Sequence, residues 1–236
     1  MGNVIGYLTY DGKDLRDFGV VASSIGTHNA PQRSVEDVVV AGRNGTLTID
    51  MGRFENIMIS YVAMILDDFA ERFDEFKAFM MSRRGYKRLE DTFNPSYYRL
   101  AKLHEVIEPE ATLMDKAGKF EIPFDCDPRR FLKSGDEAIT LTANSVIYNP
   151  TYYDAKPLLR VVGTGTIMIG TKAVTITENS TYVYIDLETM SAYNGNTNMN
   201  QYVSIADGTV LASGDNTITL ANTITSVDIT PRWWTI

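Results

Sequence analysis

Residues 34–50 read SVEDVVVAGRNGTLTID, and the organisation of the chain turns on them. Ser34 to Ala41 is a β-branched run carrying Val35, Val38, Val39 and Val40, and Thr46 to Asp50 follows with Leu47 and Ile49 in alternation. Between the two runs lies Gly42-Arg43-Asn44-Gly45. Asn-Gly flanked by strand-like runs predicts a hairpin, because a type I′ turn needs positive φ at both central residues. The stretch therefore predicts a β-arm with the permanent charge of Arg43 just before its tip. Such a tip is either a solvated connection or an arm that reaches for a neighbouring molecule.

Composition narrows the classes. The chain has 236 residues, 44% hydrophobic and 22% charged, which is ordinary globular composition with length for one large or two modest domains. A net charge of -8 and a pI of about 4.8 repel phosphate backbones on average, which argues against sequence-directed nucleic-acid binding. The single cysteine, Cys126, leaves no intrachain disulfide and suits a reducing compartment. No run approaches the length of a transmembrane helix, and Met1 to Gly12 has neither the basic start nor the apolar region of a signal peptide. Gly6 stands where the myristoylation pattern begun by Met1-Gly2 wants Ser or Thr. Asn44-Gly45-Thr46 and Asn179-Ser180-Thr181 match the glycosylation sequon, as background without a secretion signal.

Composition changes near residue 135, from dense mixed charge to Thr, Asn, Ser and Gly, with Lys133-Ser134-Gly135-Asp136 as the natural linker. This predicts domains at residues 1–134 and 135–236. In the first, Ile5 to Tyr10 and Phe54 to Met64 read as strands. Phe69, Phe73, Phe76 and Met80 recur at helical spacing, giving an amphipathic helix from Asp67 to Ser82. Asp67 or Asp68 is its expected N-cap, with Arg83, Arg84 and Gly85 at its C-terminal end. Tyr86 to Asp91 and Tyr97 to Ile107 read as strands about Asn94-Pro95, and Asp115 to Gly118 as a turn. From Lys119 the chain alternates, with Phe120, Ile122, Phe124 and Cys126 inward and Lys119, Glu121 and Asp125 outward. Cys126 is thus a packed thiol and not a nucleophile. In the second domain, short strands from Leu158 to Thr230 are separated by Gly, Asn and Asp turns, which predicts a two-sheet sandwich.

Catalytic chemistry is sparse. His28 and His104 lie in separate contexts, no nucleophile–base spacing is present, and one cysteine with two distant histidines makes a tetrahedral zinc site a poor fit. Gly163-Thr164-Gly165 lacks the third glycine and following helix of a phosphate loop. Asp67-Asp68 and Glu90-Asp91 are adjacent in sequence, which favours capping and surface roles over acid/base catalysis. The expectation is a non-enzyme without cofactor or metal. Trp233 and Trp234 are candidates for a sugar or partner contact, against the plainer reading of one ring packed inward and one covering an edge.

Several separated motifs follow in order: Asp17-Phe18-Gly19-Val20, Ala41-Gly42-Arg43-Asn44-Gly45, the helix, Asn94-Pro95 with Tyr98-Arg99, Asp125-Cys126-Asp127-Pro128-Arg129-Arg130, Gly214-Asp215-Asn216-Thr217-Ile218, and Pro231-Arg232-Trp233-Trp234. Together they resemble the distal tail (Dit) family of long, non-contractile-tailed phages and prophages, over nearly the whole chain. The resemblance implies a mainly β protein. Its N-terminal domain would be β-sandwich-like, with one packed helix and an extended β-arm, and its C-terminal domain a sandwich like galectins and carbohydrate-binding modules. It further implies a homo-hexameric ring at the virion tail tip, made in the bacterial cytoplasm. That ring would join the tail tube protein to tail-tip and receptor-binding or accessory baseplate proteins, leaving a channel for DNA. In that frame Gly42, Arg43, Asn44 and Gly45 form the turn of an inter-subunit arm. The alternative is a carbohydrate-binding adhesion module for cell-wall sugars, resting on the C-terminal sandwich and the Trp pair. A wall hydrolase has only abundant carboxylates in its favour.

Overall fold

The structure, a computed structural model, describes residues 6–22, 29–112, 116–179 and 181–236. His28, Ile5, Asp115, Ser180 and the Met1-Gly2 start lie outside the described residues. The chain divides into two compact units, Met1–Arg130 with Ile236, and Phe131–Thr235.

The first unit contains β1 (Leu8–Tyr10), β2 (Lys13–Asp14), β3 (Val21–Ala22), β4 (Arg33–Val39), β5 (Thr46–Phe54) and β6 (Ile57–Ile65). Helix α1 (Phe69–Ser82) follows, then β7 (Lys87–Asp91), β8 (Tyr97–Leu103), β9 (Pro109–Thr112) and β10 (Ala117–Leu132). One antiparallel sheet runs β2-β1-β7-β8-β10-β6-β3, with β9 also on β10. The sheet curls and closes. Gly6, just ahead of β1, exchanges two backbone hydrogen bonds with Ala22 of β3, at 2.9 and 3.0 Å. Closure satisfies backbone groups that an open edge would leave to solvent. The Tyr61 hydroxyl on β6 donates to Asp91 on β7 at 2.9 Å, although two strands separate them in the sheet order.

Alternation builds the interior: Ile57, Ile59, Tyr61, Ala63 and Ile65 all point inward from β6. The helix turns Phe69, Phe73, Phe76 and Met80 to the same core, where Phe73 meets Phe120 edge-on and Phe76 meets it tilted, with ring centroids at 5.1 and 5.4 Å. Each ring removed from water contributes about 2–3 kcal/mol before its ordering cost. The helix ends differ from expectation. Asp68 occupies the N-cap position in the left-handed region (φ 48°), where its carboxylate caps nothing, and Asp67 pairs instead with Arg72 at 3.1 Å. Arg83 is the C-cap, its guanidinium drawn to Asp11 at 3.0 Å, and Gly85 makes its left-handed turn beyond the helix.

Phe120, Ile122, Phe124 and Cys126 are inward as expected. Asp125 is not solvated: Asn56 donates to it at 2.8 Å and Lys102 pairs with it at 3.1 Å, so polar neighbours cover the outer face there. The run from Phe54 to Met64 is broken at residues 55–56, separating β5 from β6.

The second unit contains β11 (Ile139–Leu141), β12 (Ser145–Asn149), β13 (Leu158–Gly163), β14 (Gly165–Ile169), β15 (Lys172–Ile176), β16 (Val183–Asp186) and β17 (Ser191–Asn194). It ends with β18 (Thr197–Asn198), β19 (Val203–Ile205), β20 (Gly214–Leu220), β21 (Ile224–Thr230) and β22 (Trp234–Thr235). Two sheets, β11-β21-β13-β16-β17-β18 and β12-β20-β14-β15-β19, enclose a core that includes Leu159, Val161, Ile167, Ile185, Ile218 and Val227. Gly163-Thr164-Gly165 is the corner where the chain leaves one sheet for the other. Both glycines have positive φ, and a Cβ on Gly163 would stand 2.4 Å from the Thr223 carbonyl oxygen. Within this unit Lys133–Gly135 forms a 3-10 turn, with Gly135 buried.

Candidate functional site: a free-standing hairpin

Among the described residues, strands β4 and β5 pair only with each other. Opposed residues of an antiparallel pair share a face. Leu47 opposite Val38 and Ile49 opposite Glu36 therefore mark one face, and Thr46, Thr48 and Asp50 opposite Val39, Asp37 and Val35 the other. Neither face is covered among the described residues: Val35, Leu47, Ile49 and Met51 are exposed, and Val39 is 81% exposed. A two-stranded ribbon is marginal by itself in water, and a cluster of exposed apolar side chains marks a surface for a partner.

The tip differs from the expected two-residue type I′ turn. Val39 pairs with Thr46, so residues 40–45 form the loop. The Arg43 N–H donates to the Val40 carbonyl at 3.1 Å with Gly42 at φ 80°, which is a type II turn. Gly45 is also left-handed at φ 80°, and Asn44 is not. The ladder register, set by the two valine- and threonine-rich strands, overrides the Asn-Gly preference. Arg43 is exposed at this tip and makes no side-chain hydrogen bond or ion pair among the described residues.

The base of the arm is pinned. The register shifts between Arg33 and Val35 where β5 carries extra residues around Gly52, whose N–H donates to Asp50 at 2.8 Å. Arg33 pairs with Asp50 at 3.0 Å and lies over the Phe54 ring at 5.0 Å. The Gly52 N–H bond first, and then Arg33, hold the Asp50 carboxyl below the usual aspartate range. A bulge of this kind bends a ribbon and re-aims it. The exposed face and the Gly52 bend lay beyond the sequence reading. Alternation in Leu47, Ile49 and Met51 followed by glycine was the available signal.

The tryptophans divide. Trp233 is 4% exposed within the second core. Trp234 stacks on Tyr153 at 4.3 Å and donates its indole N–H to the Asp154 carbonyl at 2.9 Å. The arm residues and the Trp pair lie in different units. Cys126 is fully buried, and burial first pushes its thiol up to about 12. His104 is exposed on the loop after β8. Among the described residues no group of three or more His, Cys, Asp or Glu is placed to hold a metal ion, and no helix is long and apolar enough to cross a membrane.

No protein-family model matches the chain, and no curated protein matches it at a significant level. Solved structures do. The chain is similar to the Dit protein of phage SPP1, described as a paradigm of the hub adsorption apparatus in phages infecting Gram-positive hosts. The TM-score is 0.75 at 15% identity, covering 99% of this chain and 100% of that one. It is also similar to a chain of the phage p2 baseplate in its activated conformation with Sr, with a TM-score of 0.52 at 10% identity, covering 95% and 97%. The fold is thus Dit-like and mainly β, with one α-helix among the described residues.

Proposed function

We propose that the chain is a structural component of a phage tail tip, acting by assembly and not by chemistry. Six copies form a ring through the first unit. The ring joins the tail tube protein to tail-tip, receptor-binding or accessory baseplate proteins, and leaves a channel for DNA. The observation that carries this reading is the free-standing hairpin, with its uncovered apolar face, in a chain of Dit-like fold. A ring contact is heterologous, each copy offering one surface to a different surface of the next. An arm with two unpaired strand edges suits it, by strand addition or by wrapping a neighbour. Arg43 is the charged anchor at the arm's turn. The net charge of -8 favours a conduit wall that repels DNA and lets it slide. Mass measurement and negative-stain imaging of the chain mixed with the tail tube protein test the reading. Rings of six are expected, and a strict monomer in that mixture at high concentration sinks it.

A second reading, adhesion to cell-wall sugars, draws support from exposed aromatic rings of the second unit: Tyr152 at 93% and Tyr148 at 65%. Trp234 adds a ring already stacked on one side, and Trp233 adds none. Binding of the full chain to purified cell wall or a glycan array tests it, and no binding at millimolar saccharide removes it.

A further inference from the structure

The sequence contains the pair Asn-Gly twice, as Asn44-Gly45 at the tip of the arm and as Asn194-Gly195 in the second unit. This pair is open to a spontaneous reaction in which the glycine main-chain nitrogen attacks the side-chain amide carbon of the asparagine. Glycine favours the attack because it has no Cβ to obstruct the approach and leaves the backbone free to adopt the geometry of ring closure. The reaction needs an asparagine side chain free to turn onto that nitrogen, and a main chain free to rotate with it. The two motifs differ in both respects.

Asn44 and Gly45 are exposed and lie outside both strands of the hairpin. Among the described residues the Asn44 side chain makes no hydrogen bond, and neither the Asn44 nor the Gly45 N–H donates to a backbone carbonyl. The bond from the Arg43 N–H to the Val40 carbonyl stops one residue short of them. Apart from its chain neighbours, no atom lies within 4 Å of where a Gly45 Cβ would stand. The attacking nitrogen must shed its proton, and the fixed positive charge of Arg43, two residues away, favours that anionic form. Asn194, by contrast, is locked. It ends β17 in register with Thr197. Its amide nitrogen donates to the Tyr182 carbonyl at 2.8 Å and to the Thr181 hydroxyl at 3.3 Å. The side chain is thereby turned toward Tyr182, and the ladder fixes the main chain that would have to rotate.

We propose that Asn44 is a modification site, deamidated without an enzyme for as long as the arm is uncovered. The Gly45 nitrogen forms a bond to Asn44 Cγ, the Cγ–Nδ2 bond breaks, and the amide nitrogen leaves as ammonia with the proton that Gly45 gave up. Water then opens the resulting five-membered succinimide at either of its carbonyls, leaving aspartate or isoaspartate at position 44. Each event places one negative charge beside Arg43 and cancels the charge of the tip. Isoaspartate also lengthens the main chain of the loop by one methylene. The consequence for assembly rests on the reading of the arm as an inter-subunit contact: joining a ring covers the tip and halts the reaction, whereas a chain left unassembled loses its charged anchor with age.

Ageing the purified full chain for days in warm, mildly alkaline buffer tests the proposal, read by Glu-specific digestion at acidic pH and fragmentation mass spectrometry. A gain of about 1 Da is expected at residue 44 and should rise with time. At residue 194 it should appear about tenfold more slowly or less, and Gly45→Ala should slow the change at residue 44 by a similar factor of about ten. In urea the rates at residues 44 and 194 should converge, since the fold no longer holds Asn194. An unmodified Asn44 in the aged chain, equal rates at the two sites in the native chain, or a tenfold difference that persists in urea overturns the proposal. Mixed with the tail tube protein, aged chain should form fewer rings than fresh chain, while aged and fresh Asn44→Gln should form them equally. Equal ring formation by aged and fresh wild-type chain overturns the consequence for assembly. A fresh chain that forms no ring counts against the ring reading alone, and the mass spectra still decide the modification.

Discussion

Arg232 grips Asp186 with both ends of its guanidinium, Nη1 to Oδ1 at 2.8 Å and Nη2 to Oδ2 at 2.9 Å, from a backbone held at φ 59°. The Arg232 N–H donates to the Gly135 carbonyl at 2.8 Å, and Leu132 donates to the Trp233 carbonyl at 2.9 Å. Within the second unit, the ion pair therefore fixes the tail of the chain against the turn at 133–135. It explains the Pro231-Arg232-Trp233-Trp234 motif as a clasp.

Breaking that clasp should cost stability in a pH-dependent way. Burial raises the Asp186 carboxyl, but Arg232 and the Glu188 N–H outweigh it and leave it lowered. A folded-state value below the unfolded one means the stabilisation is complete above the ordinary aspartate pKa, about 3.9, and is lost as pH falls through the lower folded value. Arg232 is a third exposed, so solvent screening limits the effect. Arg232→Gln is expected to lower stability by about 1–2 kcal/mol at pH 7, and by less below pH of about 3. Urea melts across that range check it.

Gly135→Ala should be harsher than a surface change. The added Cβ would stand 2.4 Å from the Trp233 backbone nitrogen, which cannot rotate away. A loss of about 2–4 kcal/mol is expected, with the thermal transition of the second unit shifted down.

Asn216 is buried and fully used. Its amide donates to the carbonyls of Ala212 at 2.8 Å and Gly214 at 2.9 Å, and its oxygen accepts from the Ala212 N–H at 2.8 Å. Asn216→Ala strands these groups and should cost about 2–3 kcal/mol in a denaturant titration.

The arm predicts the opposite pattern. Arg43→Ala removes an exposed group without a partner among the described residues, so stability should change by no more than about 0.5 kcal/mol. Ring formation with the tail tube protein should weaken. Leu47→Ser with Ile49→Ser should abolish rings while far-UV circular dichroism stays unchanged. Rings persisting in the double variant would remove the arm from the contact.

The Cys126 thiol should report unfolding. With no exposure and a pKa of about 12, it should resist a disulfide reagent at pH 8 in the native state and react as urea opens the first unit.

Sequence periodicity made the local elements legible. Phe69, Phe73, Phe76 and Met80 needed only each other to declare a helix face, and Phe120 to Cys126 only their alternation. The misses share a cause, which is contact with residues far along the chain. Asn44-Gly45 yielded to the register of β4 and β5, and Asp125 was covered by Asn56 and Lys102. The Gly6–Ala22 closure required the sheet to curl first. The motif residues Arg232 and Asn216 were visible by position, yet their work depends on Asp186 and on the Ala212–Gly214 loop.

The hairpin imposes a condition on the protein before it finds its partners. Among the described residues nothing pairs with the outer edges of β4 and β5, which leaves main-chain groups open to another extended segment beside exposed valine, leucine and isoleucine. Glu36, Asp37 and Asp50 are set among those side chains and interrupt the apolar run, while Arg33, Arg43 and Arg53 on the same arm balance their charge. The arm of the freshly made chain therefore has no net charge to hold copies apart, and light scattering of the chain without its partners should show association through the arm as concentration rises.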